Sequence, residues 1–329
     1  MSLFEKSSDK GIGGFVDFSG SSPSFLNFKE GLFFNSGRNA LLFLLKNTLK
    51  GQAIQVPNYT CPAVWETIKK ANIEPVGYEI NSNFEPLNFS PELPMIVNNY
   101  FGLKDRFIEK FVKNNSNIII DNAQAFFSPS YGVPAVYSPR KFLPLPDGGI
   151  LLSSFHLEDK YSTLPCTSSI KNLNHLFLKA ERKDQEGYKL FLENEKRIEV
   201  LEEGKISKIA NNLMRIFDYK VVKESRRNNF NYLHKYLKNT NDLSIEAIGG
   251  SGSLVSIPLA YPFLCCKPGL REKLLKERIY VPRYWPMVPE VECMKSELSK
   301  YLAEYLFPLP IDSRYSIKEM EKILKVIYE

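Results

Sequence analysis

The chain has 329 residues, a formal net charge of +6 and 43% hydrophobic residues. That length supports a large core and two domains, and the composition excludes a disordered chain. Basic and acidic residues are interleaved, as in KAERKDQEGYK, so the positive excess forms no patch and nucleic-acid binding is not expected.

No run approaches the length of a membrane span, and the polar start MSLFEKSSDKG has no apolar signal core. Cys61, Cys166, Cys265, Cys266 and Cys293 are odd in number and lack CxxC spacing. Neither a zinc site nor a disulfide framework is expected, and the chain reads as cytoplasmic.

Residues 1–35, rich in Gly and Ser, read as an irregular arm packed on the surface; GIGG lacks the GxGxxG spacing. The first helix is expected over 36–49, with Ser36 as N-cap and Leu41, Leu44, Leu45 and Leu49 at helical spacing. A helix start with Ser36, Gly37 and Arg38 is suited to an anion, although an ordinary capped helix has the same look. Strands then alternate with helices: strand Ala53–Val56, helix Ala63–Ala71, strands Val76–Ile80 and Met95–Asn98, helix Lys104–Lys113, and the β-branched run Asn117–Ile120. The alternation predicts an α/β fold with a mostly parallel sheet. Functional groups gather at the carboxyl ends of such strands, and Asp121 falls at one, where it could also simply cap a turn.

Lys141 lies between a strand at Ala135–Tyr137 and an apolar run at Ile150–Leu152, on a loop set by Pro139, Pro144 and Pro146. Burial there would favour a neutral amine, and the adjacent Arg140 would push the same way. A solvated surface lysine is the competing reading. Asp147, Gly148 and Gly149 read as the turn into the next strand.

The remainder reads as polar helix over about 179–203, a helix over Ile206–Glu224, and an amphipathic helix in RRNNFNYLHKYLKN. A turn at Gly249–Ser253, a strand at Leu254–Leu259, a helix at Gly269–Glu277, a strand or loop at Leu306–Pro310 and a helix at Ile317–Tyr328 complete a small α+β domain. The division is 1–215 for the large α/β domain and 216–329 for the small one. His156, His175 and His234 form no metal spacing, and His234 reads as structural. Arg226, Arg227 and Arg283 could bind a carboxylate or diphosphate; surface ion pairs are the default for each.

An anion-binding helix start, an aspartate at a strand end and a lysine on a rigid loop are the groups that a pyridoxal-phosphate (PLP) site requires. SGRNALLFLL, IQVPNYTCPAV, IEPVGYEI, IIIDNAQAF, YSPRKFLPLPDGG, SRRNNFNYL and FPLPIDSRYS together resemble the DegT/DnrJ-type sugar aminotransferases. The resemblance implies a type I PLP-dependent transferase fold. It implies that Lys141 binds the cofactor aldehyde and moves the proton, and that Asp121 pairs with the pyridinium nitrogen. Gln124 would bond the ring's phenolic oxygen and Ala123 would pack on one ring face. Ser138 with the Gly37 and Arg38 amides would hold the phosphate. It further implies glutamate as amino donor, a keto sugar, nucleotide-linked, as acceptor, surface-polysaccharide or amino-sugar synthesis as setting, and a homodimer.

This chain departs from the family pattern at two site positions, among other places. Arg38 replaces a hydroxyl residue, and Cys61 stands where a ring-stacking aromatic is common. Tyr59 and Tyr100 are then the candidates for that stacking. The competing functions are a sugar dehydratase, disfavoured because such relatives replace the lysine with histidine, and a non-catalytic protein that kept the fold.

Overall fold

The computed structural model describes residues 28, 30–249, 256–285 and 296–329. Of the turn expected at Gly249–Ser253, Gly249 instead ends a helix and residues 250–253 lie outside the described residues, as does nearly all of the N-terminal arm.

The α/β part runs β1 (Leu32–Phe34), α1 (Gly37–Thr48), β2 (Ile54–Pro57), α2 (Pro62–Lys70), β3 (Pro75–Ile80), β4 (Pro86–Leu87), β5 (Met95–Asn98), α3 (Asp105–Asn114), β6 (Ile118–Asn122), β7 (Ala135–Tyr137) and β8 (Gly149–Leu152). These eight strands form one sheet in the order β1-β8-β7-β6-β5-β2-β3-β4. The five central strands are mutually parallel, whereas β8, β1 and β4 each pair antiparallel to a neighbour. Every residue of β2 and β5 is buried, as expected of strands covered on both faces. The mixed sheet with its many helices is the α/β class that the alternation predicted.

Local chemistry explains the best-defined element. Ser36 caps α1 by accepting the Asn39 N–H at 3.1 Å. Residues Asn39 to Leu45 of that helix are all buried, because it packs against β1, β7, β8 and α2.

Next come α4 (Glu158–Ser162), α5 (Asn174–Ala180), α6 (Asp184–Glu199), α7 (Lys208–Ile216), α8 (Tyr219–Leu237) and α9 (Ile245–Gly249). The chain ends with β9 (Ala260–Leu264), α10 (Leu270–Lys276), α11 (Glu297–Tyr305), β10 (Leu306–Pro310) and α12 (Ile317–Tyr328). β9 and β10 form a two-stranded antiparallel sheet against which α8 packs, and α8 also meets α12.

Four readings are corrected. The arm is not irregular throughout: Leu32–Phe34 pairs antiparallel with Gly149–Leu152. Three apolar residues are too few to carry an alternation, so only the partner strand reveals them. The polar helix over 179–203 is two helices, parted at Arg182 with φ +60°. The helical stretch after 206 breaks at Phe217, not near Arg226. Asp218 caps α8 by accepting the Lys220 and Val221 N–H groups, which starts a new helix there. The strand sought at Leu254–Leu259 lies at Ala260–Leu264, set by its pairing with β10; of the expected span, residues 254 and 255 lie outside the described residues.

Candidate active site

Because β2, β5, β6 and β7 run parallel, their carboxyl ends share one edge of the sheet. β8 runs the other way, so its first residue, Gly149, meets the same edge. The start of α1 is held there too: Ser36 bridges to Gly148, and the Gly148 N–H donates to the Asn35 carbonyl at 2.9 Å. A Cβ on Gly149 would stand 2.2 Å from the Ser36 carbonyl carbon and 2.5 Å from Gly37 N, so only glycine allows this approach. Asp147, two residues before Gly149, is tied to Ser207 at the start of α7. It is fully buried and accepts the Ser207 N–H at 3.0 Å and the Ser207 hydroxyl at 2.5 Å. Burial pushes its carboxyl up, and the serine hydrogen bonds and the charge of Arg140 oppose that.

Asp121 lies in register with Asn98 of β5 and Val136 of β7. Its Oδ1 accepts the Ala123 N–H at 2.8 Å, which turns the chain out of the strand toward Gln124. Burial raises the Asp121 carboxyl above its usual range, and the nearby Lys141 ammonium pulls it down. Lys141 is thus within electrostatic reach of Asp121.

Gln124 is buried, and its Oε1 accepts the Phe101 N–H at 2.7 Å. That leaves its amide Nε2 as the donor it can offer a ligand. Phe101 is fully buried with φ +57°, a costly conformation for a bulky residue. Ser138 follows β7 directly. A Cβ on Gly37 would lie 3.6 Å from Ser138 Cβ and 4.0 Å from its hydroxyl, so the bare glycine leaves a small cradle between hydroxyl and helix start. The first-turn amides of α1 point into it, as at any helix N-terminus.

Two expectations about this loop are overturned. Lys141 is exposed, not buried in an apolar setting, because the short 3-10 turn Pro139–Lys141 lifts it off the sheet edge. Arg140 is paired with Glu195 of α6, whose carboxylate offsets its charge. Arg38 is likewise turned to α6, with its guanidinium 3.7 Å from Glu199, leaving its backbone N–H as its contribution at the helix start.

Sequence reasoning missed two features. Arg226 is buried, not paired at the surface: Nη1 donates to the Leu259 carbonyl at 2.9 Å, and the guanidinium lies 4.6 Å from the ring of Phe142, the neighbour of Lys141. Burial lowers its pKa to about 10. The second is an aromatic cluster in which Tyr284 and Trp285 pack onto Phe101, Tyr59 and Tyr100. Two adjacent aromatics between Pro282 and Pro286 were the available signal. Arg283 makes the surface ion pair expected of it, with Glu304; His234, read as structural, lies on α8 beside Glu246, and His175 is buried beside Phe191. His156 is exposed after β8. Among the described residues, no His, Cys, Asp and Glu group is arranged to hold a metal, and no helix is long and apolar enough to cross a membrane.

Asp121, Ala123, Gln124, Ser138, Lys141 and Gly37 are thus gathered at one edge. A carboxylate suits a protonated ring nitrogen, an amide suits a ring oxygen, and a hydroxyl with helix-start amides suits a phosphate. An amine stands within electrostatic reach of the carboxylate. This donor set fits PLP.

No family model matches the chain, and no curated protein matches its sequence. Solved structures do. A DegT/DnrJ/EryC1/StrS aminotransferase from Brucella abortus is similar over 94% of this chain and 91% of its own, with a TM-score of 0.65 at 16% identity. PseC of Helicobacter pylori, an aminotransferase of pseudoaminic acid biosynthesis, covers 92% of this chain and 87% of its own, with a TM-score of 0.64 at 14% identity. The PLP form of Spr1654, a sugar aminotransferase from Streptococcus pneumoniae, covers 93% of this chain and 91% of its own, with a TM-score of 0.61 at 14% identity. The chain therefore has the fold of the DegT/DnrJ-type sugar aminotransferases.

Proposed function

We propose that this protein is a PLP-dependent aminotransferase that moves an amino group from glutamate to a keto sugar. The observation that carries the reading is the convergence of Asp121 and Lys141 at the sheet edge beside the start of α1. The fold likeness to sugar aminotransferases, one of them solved in its PLP form, supports it.

When bound, PLP supplies an electron sink that stabilises negative charge on the substrate carbon. Asp121 would hold the ring nitrogen in its protonated state. Gln124 would orient the ring through Nε2, and Ala123 would lie against one face. Ser138 with the Gly37 and Arg38 amides would grip the phosphate. Lys141 Nζ would hold the cofactor's aldehyde carbon and, once released, take the proton from the substrate carbon and return it at the cofactor carbon. The amino group passes from glutamate, which leaves as 2-oxoglutarate, to the keto carbon of the acceptor.

The acceptor we infer is a nucleotide-linked sugar of surface-polysaccharide or amino-sugar synthesis, and the working form a cytoplasmic homodimer. We also read residues 1–215 as the cofactor-binding domain and 216–329 as the small domain. That reading is supported by α8, β9, β10 and α12 packing together as one unit.

The test is a two-step spectral assay. PLP should give a visible band, and borohydride should fix it on Lys141. Glutamate should bleach the band, and a nucleotide-linked keto hexose should restore it. A label on another lysine would sink the site, and no bleaching with any amino donor would promote the non-catalytic reading. Recovery only with non-sugar keto compounds would keep the enzyme class and overturn the substrate class.

A further inference from the structure

We propose that Trp285, reaching in from the C-terminal part of the chain, supplies the aromatic wall that covers the cofactor ring on the side opposite Ala123. The inference rests on the PLP reading above. A cationic planar ring bound by a carboxylate needs cover on both faces, because water at an open face weakens the ion pair. Ala123 provides one cover. Cys61, the N-cap of α2, comes after β2 at the same sheet edge; it makes no side-chain cap bond and is too small to shield a ring, which leaves the other face without cover.

Tyr59 and Tyr100 cannot turn to fill that space. Both are buried, their rings lie 6.1 Å apart at 20°, and the Tyr100 hydroxyl donates to the Tyr59 carbonyl at 2.6 Å. They form a floor, and Trp285 stands on it. Its ring lies 4.6 Å from that of Tyr59 at 70° and 6.2 Å from that of Tyr100. Tyr284 stacks beside it at 5.5 Å and 21°.

Geometry locates the group. Tyr100, on which Trp285 rests, follows β5, whose Asn98 is in register with Asp121. Tyr284 stacks on Phe101, whose N–H donates to Gln124 Oε1. The aromatic pair therefore sits beside the carboxylate and the amide proposed to hold the ring. Trp285 is only partly buried, unlike the two tyrosines beneath it. Its φ of +56° is costly for a bulky residue, and the surrounding packing holds it there.

The experiment measures PLP binding to the full chain by absorbance and visible circular dichroism, with the urea midpoint of the PLP-free protein alongside. Trp285→Ala should raise the Kd for PLP on the order of tenfold, the worth of one aromatic stacking contact. It should also change the visible dichroism of the bound cofactor. Trp285→Phe, which keeps an aromatic face, should bring both close to the parent. An unchanged Kd in Trp285→Ala overturns the proposal. So does an equal loss in both variants that tracks a fall in the urea midpoint, because that pattern marks a packing role only. If PLP does not label Lys141 in the unaltered protein, the proposed function falls and this inference with it. Normal labelling with an unchanged Kd removes this inference alone.

Discussion

Asp121 carries a cost that the fold does not require. Its carboxyl is pushed above the ordinary range by burial, so ionising it in the folded chain is harder than in the unfolded one. For an acid whose folded pKa is raised, stability is unaffected below the unfolded pKa and is lost as pH rises through the window up to the folded value. Asp121→Asn should therefore raise the urea midpoint of PLP-free protein at pH 8, and the gain should vanish below about pH 4, where both states are protonated. The same variant should bind PLP yet react with glutamate far more slowly, because the ring nitrogen loses the carboxylate that keeps it protonated. A variant that is no more stable at pH 8 would contradict the burial cost; unchanged half-reaction kinetics would remove the role. Gln124 has the opposite balance. Gln124→Ala leaves the buried Phe101 N–H without its acceptor and should cost about 2 kcal/mol in urea unfolding, with or without PLP.

The start of α1 works as an element because backbone from three places meets there. Asn35 donates its N–H to the Gly204 carbonyl and accepts the Gly148 N–H. The Asn39 side chain donates to Asn35 Oδ1 at 2.8 Å and to the Glu202 carbonyl at 2.8 Å. Gly149 then lies against Ser36 with no room for a side chain. Gly149→Ala should cost about 3 kcal/mol, because the clash is with backbone that is itself pinned. It should also weaken PLP binding, since α1 must retreat from Ser138. Gly132→Ala is the control. Its φ is +81° but nothing lies within 4 Å of the added Cβ, so the loss should be about 1 kcal/mol with PLP affinity intact. Equal losses in the two variants would refute the close-approach argument.

Across the whole molecule, the turn at 99–105 fastens the α/β sheet to the C-terminal part. Lys104 is buried, and its ammonium donates to the Asn83 carbonyl at 2.8 Å, to Glu85 at 3.0 Å and to the Ile248 carbonyl at 3.0 Å. Burial lowers its pKa, and Glu85 opposes that. Asp105 accepts the Ser256 hydroxyl at 2.7 Å, and the Leu259 N–H donates to the Phe101 carbonyl at 2.8 Å. Three of these ties, to Ile248, Ser256 and Leu259, cross from the turn after β5 to the C-terminal part. Lys104→Ala strips a buried ion from its partners and leaves two carbonyls unpaired. It should cost about 3 kcal/mol in urea unfolding. A change below 1 kcal/mol would mean that water replaces the ammonium at little cost.

What the sequence by itself determined was local. Ser36 and the leucines after it marked α1, the β-branched run before Asp121 marked a central strand, and β7, β10 and α12 were legible at their true bounds. These signals depend on periodicity, caps and prolines, which act within a few residues. The strand ends beside the proposed site residues were also readable, with Asp121, Ala123 and Gln124 at the end of β6 and Ser138 and Lys141 after β7. Only the tertiary structure decided what depends on distant partners. Leu32–Phe34 became a strand because β8 offers an edge. Arg140 and Arg38 turned to α6 because Glu195 and Glu199 stand there. Lys141 emerged into solvent, Arg226 went inside against Phe142, and Trp285 came to rest on Tyr59. Each outcome joins segments that are far apart along the chain, and no local propensity encodes which of several candidate neighbours a side chain will meet.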